Sequence, residues 1–459
     1  MKLKVNKFIF YISVVVGMGV FSCTDLAVEN LNEPDDLSKV LSNSESLYNY
    51  AGNAFRTLHN SMQEFDSPAL VMNSMADQTT CSWGTGGQYD LSSEPRKGFT
   101  NSLKYPYLPF IRVLWEDCYE SISNVNGILR LIEEKNIESF EDDLDVKMLQ
   151  AWSYFVSGVA HGYLGLIYDK GSIVYWDTEL DTIQLVCWQD MIDASLILLD
   201  KAISIANENS FTIPAEWMGG DTYTNQELSE LANSYAARIL VYSSRNKTHN
   251  EKIDWSKVLN YANKGIQKDL SPELGVRYGF YDMFTCYQRY PGWGRIDHRI
   301  INLMDPDYPS RWPNAGVSWT TIDGLDPGPA SSVDARLDSD FEYLQNNNFP
   351  YYRGYYHFSH YRHKRFDDVF SAVWYGDKPK PSMLVWENEL LKAEALLRTG
   401  NISGAVSILN DPNGARKVRG MPMEFSSVDA SEVLLTIFYE RDIELINTGI
   451  GIGYFDMRR

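Results

Sequence analysis

The chain has 459 residues, enough for a large core and for two or three conventional domains. Its composition is globular, 44% apolar and 22% charged, with no low-complexity stretch. A formal charge of −20 at pH 7 argues against a nucleic-acid partner and against adhesion to anionic lipid through surface charge. Aromatic residues reach 13%, which is high.

Residues 1–22 read as a targeting segment. Lys2, Lys4 and Lys7 form a basic start, and Phe8 to Val20 is an apolar run too short to span a bilayer as a stable helix. Val20-Phe21-Ser22-Cys23 follows, and a small residue before Cys at the end of such a run resembles a bacterial lipobox. Cleavage there leaves Cys23 as a lipidated N-terminus; the competing reading is an ordinary signal peptide with a chance Cys. Removing the segment sheds three lysines and no acid, so the mature chain is more acidic still. No other stretch is apolar and long enough to span a membrane. Cys81, Cys118, Cys187 and Cys286 are widely spaced and form no CxxC. Cys118 falls on an apolar helix face and reads as a small core residue; a disulfide between two of the others is left open.

Residues 23–42 read as a tether. The spacing predicts a helix from Ser44 to Met62, with Leu47, Ala51, Ala54, Phe55, Leu58 and Met62 on one face, continued after a break by Pro68 to Ala76. Cys81 to Lys97 reads as a glycine-rich loop holding Trp83 and Tyr89. Amphipathic helices follow at Leu114–Ile132, Val146–Tyr168 and Gln189–Ile205. Thr224 and Glu227 form a capping box for a helix through Tyr242. Asp254 caps a helix over Trp255–Gln267. From Tyr278 to Tyr375 helical periodicity nearly vanishes and aromatics run at about twice their density elsewhere, which predicts a compact irregular subdomain rather than one long loop. Helices return at Trp386. Asp429 and Glu432 cap a final helix over Val433–Asn447. The organisation that results is helical over 43–277, with a loop at 77–108, irregular over 278–380, and helical again over 381–459.

Trp386 to Asn410 carries the clearest repeat signal. Leu390, Ala393 and Leu397 share a face, Gly400-Asn401 stops the helix, and Ala405, Ile408 and Leu409 begin another. With small residues at Ala393, Gly400 and Ala405, this order resembles a tetratricopeptide (TPR) helix pair, which needs stacked neighbours to bury its face.

Four segments together resemble the SusD/RagB-like nutrient-uptake lipoproteins. One is the lipobox at Cys23. The second is Tyr119, Ile122 and Asn126, like the family's Tyr-x-x-Ile-x-x-x-Asn helix. The third is Glu387 to Asn410 with Arg416-Lys417-Val418-Arg419-Gly420. The fourth is Glu440-Arg441, Glu444-Leu445 and Asp456-Met457-Arg458-Arg459. The family's Glu-Gly-x-Arg is replaced here by Thr448 and Gly449 without the Arg. The sequence stops at Arg459, as a truncated or divergent member would. The resemblance implies a mainly α fold: a TPR-like right-handed helical superhelix packed against an irregular, loop-rich half. It also implies a SusC-like TonB-dependent outer-membrane transporter as partner, no cofactor, and an oligosaccharide ligand held in the irregular half.

Other chemistry finds weaker support in the residues. His357, His360 and His363 are spaced for a metal, but Arg353, Arg362, Lys364 and Arg365 crowd them, so the stretch reads as a solvated basic strip. Asp305 with Asp307, and Asp142, Asp143 and Asp145, lack the full calcium-loop spacing and read as surface acids. There is no GxSxG, and Gly449–Gly453 lacks the strand and helix of a phosphate loop. No motif supports a carboxylate dyad. Sugar rings stack on exposed aromatics while Arg binds their hydroxyls, which makes Trp83, Tyr290, Trp293, Arg295, Trp312 and Trp319 the candidate ligand contacts; burial in the core is the competing role for the aromatics. The expected function is a cell-surface, lipid-anchored glycan-binding subunit and not an enzyme. A subunit capturing another nutrient such as peptide, a TPR scaffold without ligand, and a glycoside hydrolase are the alternatives.

Overall fold

The structure is a computed structural model that describes residues 44–80, 84–92, 96–100, 102–134, 143–311, 328–345 and 359–459. The expectations for Cys23, Cys81, Trp83, Asp142, Trp312, Trp319, Arg353 and His357 fall outside them.

The helices are α1 (Ser44–Gln63), α2 (Ala69–Met75), α3 (Gln88–Ser92), α4 (Pro109–Glu133), α5 (Asp143–Ile167), α6 (Trp188–Glu208), α7 (Asn225–Tyr242), α8 (Lys247–Asn250) and α9 (Trp255–Ala262). They continue with α10 (Met283–Arg289), α11 (His298–Met304), α12 (Arg336–Asp340), α13 (Val385–Arg398), α14 (Ile402–Leu409), α15 (Ala430–Glu444) and α16 (Ile452–Met457). The strands are short and pair two by two, all antiparallel: β1 (Thr79–Thr80) with β6 (Arg295–Ile296), β2 (Lys170–Gly171) with β3 (Val186–Cys187), β4 (Thr212–Ile213) with β5 (Tyr223–Thr224), and β7 (Phe341–Tyr343) with β8 (Tyr361–His363).

α1, α4, α5, α6 and α7 pack in sequence, and α7, α9, α13, α14 and α15 extend the stack. This is the mainly α, TPR-like architecture. The apolar face of α1 predicted from spacing is buried throughout. α5 approaches its neighbours closely because it carries glycine at the contacts. A Cβ on Gly158 would stand 2.8 Å from the Leu199 side chain, and one on Gly162 would stand 2.3 Å from Ile239. The capping box at Thr224 and Glu227 forms as expected, and Asp254 accepts from the Lys257 amide. Gly400, at φ +89°, ends α13, and Asn401 caps α14.

The irregular stretch has an apolar cluster of its own. Ile296, Ile300, Ile301, Met304, Tyr308, Leu337, Phe341 and Tyr361 pack together, with Ile443 and Ile446 added from α15 and the turn after it. Ile443 and Ile446 anchor this cluster to α15, while Phe280, Phe284, Phe366 and Phe370 of the same stretch pack in the main helical core.

Several expectations change. The loop from Cys81 holds a 3-10 turn at Thr85–Gly87 and then α3, because Gln88 and Leu91 are buried. α9 ends at Ala262, five residues early, with turns to follow. α15 spans Ala430–Glu444 and is not the last helix: Asn447, at φ +61°, breaks the chain direction before α16. Cys118, Cys187 and Cys286 are free thiols. The solvated basic strip is overturned. His360, Arg362 and His363 are buried, Arg362 pairs with Asp367 at 2.7 Å and with Glu342, and Arg365 pairs with Glu444 at 2.8 Å. Nearby Asp367 and the more distant Glu342 and Glu444 neutralise this stretch, so its charges fold inward.

The motif residues serve the scaffold. Tyr119 Oη donates to the Ser172 carbonyl at 3.1 Å and accepts from the Ser172 amide at 2.6 Å, while Asn126 donates to the Val174 carbonyl at 2.9 Å. Together they pin the loop after α5 to α4. Glu387 receives Arg238 at 2.7 and 2.5 Å, and Arg238 also reaches the Tyr163 hydroxyl at 3.1 Å. Arg336 sits buried among Asp334, Glu440 and Glu444 at 2.7, 2.9 and 3.3 Å. Arg458 donates to the carbonyls of Leu166, Tyr242 and Ser244 at 2.9, 2.8 and 3.1 Å, satisfying groups left open at the ends of α5 and α7.

Candidate functional site

Asp282 caps α10, accepting from the Thr285 amide at 2.7 Å. A tight turn follows, in which the Trp293 and Gly294 amides both donate to the Tyr290 carbonyl, at 2.9 and 3.1 Å. Gly294 is required there, since a Cβ would stand 2.1 Å from the Gln288 carbonyl oxygen. The turn lifts two rings outward. Tyr290 is 47% exposed and Trp293 43%, with centroids 4.7 Å apart and planes at 44°.

Buried Tyr287 supports them. Its ring stacks on Trp293 at 5.3 Å and 24°, and its hydroxyl hydrogen-bonds Thr85 Oγ1 at 2.8 Å. Thr85 opens the glycine turn that follows Trp83 in sequence. Gly86, at φ +62°, allows that turn to lie on Phe110: a Cβ would be 2.6 Å from its ring. Phe65, 38% exposed, meets Tyr287 edge-on at 5.2 Å and Phe110 at 6.1 Å. Three exposed rings thus surround Tyr287 as one aromatic ledge. Flat apolar rings of this kind accept the C–H faces of a sugar.

Arg295, another expected contact, lies underneath. It is 2% exposed and donates to the carbonyls of Gly294, at 2.9 Å, and Pro291. Burial, with Arg362 close by, lowers its pKa to about 10. Its geometry suits holding the turn, not meeting a ligand. The structure therefore brings Tyr290 and Trp293 together, beside the turn that follows Trp83. Phe65 and Tyr287 complete the ledge and escaped the sequence reading, because neither is marked by a glycine neighbour or by periodicity. Trp374, 65% exposed, is a further missed ring; it meets Tyr375, which in turn meets Tyr281 at 6.0 Å.

Among the described residues no group of three or more His, Cys, Asp or Glu is placed to hold a metal ion. Asp305 instead accepts backbone amides from Asp307 and Ser331, at 3.1 and 2.8 Å. An apolar groove of about 670 Å³, lined by Val71, Met75, Trp115, Tyr168 and Tyr454 among others, shares no residue with the ledge. Among the described residues no helix is long and apolar enough to cross a membrane.

No protein-family model and no curated protein matches the sequence. Solved structures do match. A SusD-like protein from Bacteroides fragilis superposes with a TM-score of 0.62, covering 91% of this chain and 86% of its own at 14% identity. The fold is SusD-like. A SusD superfamily protein from Parabacteroides distasonis gives a TM-score of 0.61 at 13% identity, covering 90% of this chain and 87% of its own. Surface glycan-binding protein A from Bacteroides uniformis gives 0.58 at 14% identity, covering 90% and 87%. Within the SusD-like fold, Glu387, Glu394, Glu440, Arg441, Glu444 and Arg459 of the sequence motifs sit in buried ion-pair clusters, while Tyr119 and Asn126 hydrogen-bond the loop after α5. These residues hold the frame together.

Proposed function

We propose that this chain is a cell-surface glycan-binding lipoprotein, the lid subunit of a TonB-dependent outer-membrane oligosaccharide uptake complex. The observation that carries the reading is the ledge of Tyr290, Trp293 and Phe65, built on buried Tyr287 and bordered by the glycine turn after Trp83. The fold it shares with a protein named for surface glycan binding supports it. On this reading the ledge, Trp83, Trp312 and Trp319 form the ligand surface, the helical face meets a SusC-like transporter, and Cys23 carries the lipid. Binding requires no cofactor, and the chain does no catalysis.

Affinity electrophoresis of the mature protein through gels loaded with individual polysaccharides tests the ligand. Retardation by at least one neutral polysaccharide is expected, with longer oligomers binding better than monosaccharides. If no glycan retards it, the peptide reading takes its place. Pull-down from mildly solubilised outer membrane tests the partner: a large barrel should accompany the chain through an interface of well over about 2,000 Å².

A further inference from the structure

We infer that the ledge selects uncharged glycans over those bearing carboxylate or sulfate groups, because a knot of carboxylates without partner cations borders it. The inference rests on the glycan reading above.

Glu64 and Asp66 flank Phe65, whose ring meets both Tyr287 and Phe110. Phe110 begins α4, and Asp117 lies two turns further along the same helix, with Glu116 and Glu120 beside it. α1, which ends one residue before Glu64, packs on α4. Among the described residues no ion pair reaches Glu64, Asp66, Asp117 or Glu120; only Glu116 has one, with exposed Arg112 at 3.4 Å.

The groups sense one another. Burial, then Glu120, Glu116, Glu64 and Asp66, raises the Asp117 pKa to about 6, and burial with Asp66 raises that of Glu64. The nearby Asp282 adds little, because Lys380 neutralises it at 2.5 Å. A cation does lie under the ledge, but Arg295 is buried and its Nη1 is committed to backbone carbonyls. A sugar ring on exposed Phe65 would therefore sit beside Glu64 and Asp66, whose charge no ion pair among the described residues offsets. Neutral hydroxyls are tolerated there, and an anionic substituent is repelled.

The test takes the neutral polysaccharide that retards the wild type best and a lightly carboxymethylated derivative of the same backbone. Wild-type retardation should fall roughly fivefold or more on the derivative at low salt and recover partly as salt is added. The triple variant Glu64→Gln, Asp66→Asn, Asp117→Asn should bind the derivative nearly as well as the parent, with parent affinity and melting temperature little changed. Equal wild-type binding to both forms, or a triple variant that still discriminates, overturns the inference and leaves the glycan reading standing. If neither form retards the wild type, the glycan reading falls and this inference with it. Should the triple variant fail to fold, Asp66→Asn alone is compared in the same gels, with about half the gain expected.

Discussion

Arg459 grips Glu394 with both prongs of its guanidinium, Nη1 to Oε1 at 2.9 Å and Nη2 to Oε2 at 2.6 Å, where neither side chain meets solvent. Arg441 joins at 2.7 Å, and Asp456 accepts from both arginines, at 2.7 and 3.1 Å. Four residues from three segments thus close one buried cluster that ties α13 to α15 and to the chain beyond α16. Burial alone would raise the Glu394 pKa, but Arg459 and Arg441 more than offset this and hold it well below the usual carboxylate range.

Glu394→Gln leaves two guanidinium groups to share one carboxylate in a dry site. Breaking such a cluster by removing one charge costs about 3–5 kcal/mol, far more than a surface pair is worth. Urea unfolding should show a free-energy loss of that size, as a lowered midpoint at constant slope. A loss below about 1 kcal/mol would show that the site relaxes or admits water.

Histidines predict a pH effect of known sign. His161 is fully buried; its Nδ1 lies 2.7 Å from the Ser157 carbonyl, and the Val174 amide points at its Nε2 at 3.3 Å. That arrangement suits the neutral ring, and burial lowers its pKa to about 4. His59 and His363 are likewise lowered by burial, to about 4 and about 3. Between about pH 4 and 6.5 the unfolded chain therefore binds protons that the folded one does not, and stability is lost as pH falls. Asp117, Glu64, Asp269 and Glu440, all raised by burial, act in the opposite direction, so the overall slope is a difference. His161→Gln isolates one group. The stability advantage of wild type over the variant should shrink by up to about 1.4 kcal/mol per pH unit as pH is lowered through that window. A constant difference would mean that His161 is protonated in the native state.

The helical half was legible because its signals are local: a face on α1, a capping box on α7, a glycine stop after α13. The basic strip was misread because Glu342 and Glu444, which help Asp367 to neutralise it, are brought to it by tertiary folding. Of the candidate site, Tyr290 and Trp293 were legible as aromatics in a stretch without helical periodicity. Arg295 was misjudged because polarity in a turn gives no sign of which way the side chain points. Phe65 was missed because its exposure depends on where α1 ends.

Gly86→Ala should damage both the turn and the ledge. The backbone there is left-handed, and the new methyl would meet the Phe110 ring at 2.6 Å. A destabilisation of about 1–3 kcal/mol is expected. Because Thr85 in the same turn hydrogen-bonds Tyr287, glycan retardation should weaken as well. Weakened binding with an unchanged thermal melt would point to a more local role for the turn.

Cys23→Ala tests the anchor. The basic start, apolar run and Ser22-Cys23 predict lipid at that thiol, and acyl chains contribute roughly 0.8 kcal/mol per buried methylene. Wild type should partition into the membrane fraction and the variant out of it. A variant that stays with the membrane would move the attachment elsewhere.

Trp293 and Arg295, two residues apart, should separate binding from stability. Covering one face of an exposed indole removes about 60 Å² of apolar surface, worth roughly 1.5 kcal/mol. Trp293→Ala should therefore weaken glycan binding about tenfold or more. The melting temperature should hardly move, since that ring packs on the surface side of Tyr287. Tyr290→Ala should act alike but less, its ring leaning on Trp293 at an angle. Arg295→Met removes the donor that closes the turn onto the Pro291 and Gly294 carbonyls, so its first effect is on the melt, with affinity falling because the rings lose their support. Isothermal titration beside differential scanning calorimetry reads both quantities. Should Trp293→Ala lower the melt and spare the affinity, the ring is packing rather than platform, and the binding surface must lie with Trp83, Trp312, Trp319 or the exposed Trp374 instead.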